Sequence, residues 1–106
     1  MSLFRINQNR FKLIIFVPFT HTQAVLSALK NAGAGNYSDK YDSCFFISRG
    51  TGHYRNVETD TQNQRPEIRI ETVCDFDKLN DVLESVRNVH PDKDLGFDVI
   101  PLLSRL

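Results

Sequence analysis

The stretch Phe11-Lys-Leu-Ile-Ile-Phe-Val-Pro-Phe-Thr-His-Thr-Gln-Ala-Val-Leu-Ser-Ala-Leu-Lys-Asn-Ala-Gly33 changes its apolar period once, at Pro18. Ahead of the proline, Phe11–Val17 is an almost continuous apolar run closed by a residue without a backbone N–H, which reads as a strand. Beyond it, Val25, Leu26, Ala28, Leu29 and Ala32 recur at helical spacing. Thr20 with Gln23 makes a capping-box pattern and Gly33 a left-handed C-terminal cap, so the spacing predicts a helix over 20–32. A second strand-helix unit follows later in the chain. Ile68 and Ile70 alternate with Arg69 and Glu71 in a strand over 67–73, and Asp75 or Asp77 can cap a helix over 76–89. Phe76, Leu79, Val82, Leu83, Val86 and Val89 mark its inner face, and Pro91 ends it.

Strands at 43–48 and 95–100 complete a strand-helix-strand-strand-helix-strand order. The expected architecture is α+β: a ferredoxin-like βαββαβ fold with a four-stranded antiparallel sheet, its first and third strands central, and two helices on one face. Residues 49–66, between the second and third strands, lack apolar periodicity and are expected to form a long polar loop. Residues 1–10 contain Asn7, Gln8 and Asn9 and are expected to be a flexible N-terminus, leaving 11–106 as a single domain.

A chain of 106 residues suits one domain and buries roughly 65% of its unfolded surface. Apolar residues at 41% and charged residues at 25% are ordinary for a globular protein. Lys+Arg and Asp+Glu both number 13, a zero balance that argues against binding a nucleic-acid backbone. The longest apolar run, 13–19, is far short of the ~20 residues of a membrane span, and no small-residue cleavage site follows it, which argues against a signal peptide. Two cysteines, Cys44 and Cys74, sit in apolar surroundings, so a reducing cytoplasm is the expected compartment.

Alternation along the first strand puts Phe11, Leu13, Ile15 and Val17 on one side and Ile14 and Phe16 on the other. The second strand likewise divides Cys44 and Phe46 from Phe45 and Ile47. Since two helices cover only one face, the uncovered face keeps large apolar side chains, and self-association is expected.

Several segments carry a family resemblance: Lys12-Leu-Ile-Ile-Phe-Val-Pro-Phe-Thr-His21, Ala28-Leu-Lys-Asn-Ala-Gly-Ala-Gly-Asn-Tyr37, Cys44-Phe45, Gly50-Thr-Gly52, Arg69-Ile-Glu-Thr72, His90-Pro91 and Phe97-Asp-Val-Ile-Pro101. In this order and spacing they resemble the YqfO-type domain, the segment inserted in some Nif-three-like (NGG-one-interacting-factor-like) proteins. The resemblance runs from about Lys12 to Leu102. It implies a fold similar to the PII signalling proteins and CutA, and with it a homotrimer with long connections between the second and third strands. It implies no particular activity.

Two kinds of site are open on the residues. Glycine-rich turns with nearby arginines can hold an anion, which makes Arg49, Gly50, Gly52 and Arg65 candidate ligand-binding residues for a small-molecule or protein partner. Imidazoles at the two strand-helix junctions could instead hold a divalent metal, which makes His21, His90 and Cys44, with Asp92 as an alternative to Cys44, candidate ligands of a small metal-binding or metal-dependent hydrolase-type protein. The third strand lacks the exposed aromatics of an RNA-recognition module, and 18–21 lack the Arg-bearing anion loop of an acylphosphatase. The expected function is therefore a non-catalytic, oligomeric binding or regulatory module, with the metal-dependent protein as the alternative.

Overall fold

The computed structural model describes residues 4–92, 94 and 97–105. Its elements are β1 (Phe4–Pro18), α1 (Thr22–Ala32), β2 (Phe45–Asn56), β3 (Thr61–Asp75), α2 (Leu79–Val89) and β4 (Phe97–Arg105), in the expected order. The sheet order is β2-β3-β1-β4 with every pair antiparallel, so β1 and β3 are central. Leu13, Ile15 and Val17 from β1 and Ile68, Ile70 and Cys74 from β3 form one buried cluster with Val25 and Leu29 of α1 and Val82 and Val86 of α2. Both helices therefore lie on the same face of the sheet.

Several boundaries differ from the sequence reading, among them the end of β4, at Arg105 rather than Ile100, and three of the starts have a local reason. β1 begins at Phe4 rather than Phe11: residues 4–7 pair with 102–105 of β4, and an irregularity between Asn7 and Phe11 hides the strand period. The helices begin later than expected, behind short 3-10 turns at Phe19–His21 and Phe76–Lys78, and neither carries a side-chain cap. Thr20 does not close a capping box, because its hydroxyl pairs with the His21 ring, Oγ1 to Nδ1 at 2.9 Å. Phe76 is correspondingly exposed, with its ring against Phe11 at a centroid distance of 6.0 Å, rather than in the core.

The largest difference is in 49–66, which is not a loop. β2 and β3 continue as a two-stranded ribbon from Gly50↔Glu67 to Asn56↔Thr61, past the end of β1 at Pro18. The tip is held by local bonds: the Asn56 Oδ1 accepts from the backbone N–H groups of Glu58 and Thr59, Arg55 pairs with Asp60 at 2.8 Å, and Asp60 takes a left-handed φ of 53°. At the other end of the sheet, Gly35 (φ 89°) docks the α1–β2 connection. Its N–H donates to Val73 O and its carbonyl accepts from Cys44, in a space where a Cβ would press on Cys44 N and the Phe45 ring.

Candidate functional site

A cleft of about 500 Å³ opens where the β1–α1 junction meets the base of the ribbon. Pro18, Phe19 and Thr20 form one wall, and Arg49, Gly50, Arg65, Pro66, Glu67 and Ile68 form the other. The sequence places these residues together through register: Pro18 pairs with Glu67, and Glu67 with Gly50. Three of the four candidate ligand residues, Arg49, Gly50 and Arg65, thus share one cleft. Gly52 lies outside it, and its lack of a side chain serves packing, because the Glu67 carboxylate crosses the space that a Cβ would occupy.

The two arginines are in different electrostatic states. The Arg49 guanidinium lies over the exposed Phe19 ring, 5.3 Å from its centroid, and among the described residues it has no carboxylate partner. Its donors are free for an incoming anion. Arg65 is engaged on both sides: it donates to both Asp92 carboxylate oxygens, and its Nε lies 3.7 Å from Glu67 Oε1 without a hydrogen bond. The hydrogen bond with Asp92 raises the Arg65 pKa above its ordinary value against an opposing effect of burial. The same bond, ahead of an opposing desolvation, holds the Asp92 carboxyl below the usual carboxylate range, with His90 and His21 adding to the effect.

Both histidines lie within electrostatic reach of Asp92, but His90 is arranged as a structural residue. It is only 8% exposed. Its Nδ1 accepts from the Asp92 backbone N–H at 3.1 Å, so the ring proton is on Nε2, which donates to Phe16 O at 2.8 Å. Both nitrogens are used, and no lone pair remains for a metal. His21 is half-buried with its Nδ1 on Thr20. Cys44 stands elsewhere: its carbonyl accepts from Thr72, three residues along β3 from Arg69, the partner of Phe16 in β1. Among the described residues, no three His, Cys, Asp or Glu side chains are grouped as a metal site. Asp92, the alternative to Cys44, is committed to Arg65. Cys74 is buried, and desolvation, with the Asp75 and Asp77 charges, pushes its thiol up to about 11, which makes it a poor nucleophile.

Sequence reasoning missed Phe19 and the pairing of Arg65 with Asp92. Phe19 was a signal available in the sequence, as an aromatic directly after the strand-ending proline. The ion pair joins residues far apart in the chain and depends on the ribbon, whose pairing the sequence does not reveal.

No protein-family model matches the chain. It is 33% identical over 103 residues to a Halalkalibacterium halodurans protein described as a GTP cyclohydrolase 1 type 2 homolog, covering 90% of this chain and 27% of that one. A Bacillus subtilis protein of the same description is 29% identical over 99 residues, covering 86% and 26%. The chain spans about a quarter of the length of the curated relatives it matches. Among solved structures, a Bacillus cereus protein related to NIF3 superposes with a TM-score of 0.83 at 31% identity, over 96% of this chain and 29% of that one. CutA from Synechococcus elongatus gives 0.72 at 17% identity, over 98% and 87%, and the GlnK–ATP complex of B. subtilis gives 0.66 at 17%, over 92% and 85%.

Proposed function

Because the chain is a YqfO-type domain of the NIF3-related kind with a CutA- and PII-like fold, we propose that it is a non-catalytic binding module. It assembles as a homotrimer through the open face of its sheet and takes a small anionic molecule with an apolar part in the cleft between Phe19 and Arg49. One observation carries the reading: Arg49 offers an uncommitted guanidinium at the rim of a cleft whose walls include Pro18, Phe19 and Ile68. Such a combination holds an anion by charge-assisted hydrogen bonds while apolar surface removes the rest of the molecule from water. Assembly is supported by the open face, where Phe16 is 46%, Phe46 64% and Ile100 42% exposed. The two free cysteines suit a reducing cytoplasm, and among the described residues no helix is long and apolar enough to cross a membrane.

Isothermal titration with inorganic pyrophosphate tests the cleft. The wild type should bind, and Arg49→Ala should weaken binding by about tenfold or more, the cost of a hydrogen bond to a charged group. Equal affinities of the two proteins would place the anion elsewhere and reject the reading.

A further inference from the structure

Arg65 faces two ways at once. Its side chain lines the cleft, yet both of its terminal nitrogens are donated to the Asp92 carboxylate. Asp92 is fixed at its backbone as well, because its N–H donates to His90 Nδ1 while His90 Nε2 donates to Phe16 O. One chain of bonds therefore runs from the cleft wall through Asp92 and His90 to the end of the central strand β1. The other neighbour of Arg65, Glu67, lies across Gly52 in the ribbon.

We propose that the Arg65–Asp92 pair is a strap: an anion in the cleft competes with the Asp92 carboxylate for the Arg65 guanidinium, and its binding releases the turn at residues 90–92. The proposal rests on the anion-binding reading of the cleft and adds its regulation. A carboxylate and a phosphate offer a guanidinium the same fork of two acceptors, so exchanging one for the other keeps both hydrogen bonds of Arg65. Arg49 captures the anion first, because its donors are free, and Arg65 follows by turning away from Asp92. Asp92 then loses its side-chain anchor, and the bond from its N–H to His90 is the only one of these contacts left holding it. The coupling is reciprocal: what loosens the strap tightens the anion, and what tightens the anion loosens the strap.

The test is a titration of 15N-labelled full chain with inorganic pyrophosphate, read by calorimetry for affinity and by NMR at the Asp92 amide and the Arg65 Nε–H. In the wild type both resonances should move on saturation, and the Asp92 amide should exchange faster with solvent. Asp92→Asn should bind pyrophosphate about three- to fivefold tighter, the range set by losing a part-exposed ion pair. Asp94→Asn makes the same charge change two residues away, at an exposed side chain, and should bind as the wild type does. Equal tightening in both variants would mean general electrostatics and overturn the strap. So would an Asp92 amide that stays unmoved in a wild type whose binding depends on Arg49, and that result leaves the cleft reading intact. Binding that ignores Arg49→Ala, or no binding by either the wild type or Asp92→Asn, overturns the cleft reading and the strap with it.

Discussion

The two faces of one sheet both carry large apolar side chains, and these meet different fates. On the face under the helices, Leu13, Ile15, Val17 and Ile70 are fully buried. On the other face, Ile14, Phe16, Phe46, Ile100 and Leu102 share the surface with Lys12, Arg69 and Glu71, which are tied to one another by the Lys12–Glu71 contact at 3.7 Å and the Arg69–Glu71 contact at 2.9 Å. These three charges are paired among themselves, Asp98 beside Ile14 has no ion pair among the described residues, and the apolar side chains between them stay uncovered. A core excludes charge altogether, whereas a surface that is wet before assembly and dry after it keeps paired charges at intervals for solubility and register. The comparison is what the proposed assembly accounts for: the open face has the mixed character of an interface.

The comparison can be broken most severely on the covered side. Leu29→Ala should cost about 2–5 kcal/mol by leaving a cavity, read as a lower urea midpoint; an unchanged midpoint would mean that the helices do not form this core. On the open side, Phe16→Asp should abolish assembly, because an unpaired charge buried at an interface costs several kcal/mol, while the fold of the single chain survives. Size exclusion with circular dichroism separates those two effects. Gly52→Val should change stability by no more than about 1 kcal/mol, since the atoms in its way are the end of the flexible Glu67 side chain, which can rotate aside.

A smaller effect concerns acid. Asp92 has a folded pKa below its unfolded value of about 3.9, so its contribution is fully present above that pH and is lost as pH falls through the lower, folded value. Melting temperatures measured from pH 5 down to pH 2 should therefore fall less steeply in Asp92→Asn than in the wild type. Parallel curves would show that the ion pair with Arg65 does not persist in solution. At the low end, Val57→Ser at the exposed ribbon tip should change stability by no more than about 0.5 kcal/mol.

What could be read from the residues follows the same division. The order of elements and the central strands were legible because Phe11–Val17 is an apolar run closed by Pro18 and because Ile68 and Ile70 alternate with Arg69 and Glu71, an alternation that burial of one face imposes. The ribbon was illegible because Thr51, Gly52, His53, Tyr54 and Gln62, Asn63, Gln64 are mainly polar on both faces; backbone pairing without a buried side leaves no period-two signal. For the site, Arg49, Gly50 and Arg65 were found as a charged, glycine-bearing stretch, but the contrast between a free and a bound arginine was not. That contrast depends on Asp92, which only the path of the chain after α2 brings near. The metal candidates are not grouped among the described residues: a histidine's type is legible in sequence, and the engagement of its two nitrogens is not.

Assembly through the open face is the claim on which the proposed module depends, and multi-angle light scattering behind size exclusion tests it most directly. The account predicts a single species of three times the 12.2 kDa chain mass, stable on dilution across the micromolar range. A mass of 12.2 kDa at every concentration would contradict it, by showing that Phe16, Phe46 and Ile100 face water in the working protein.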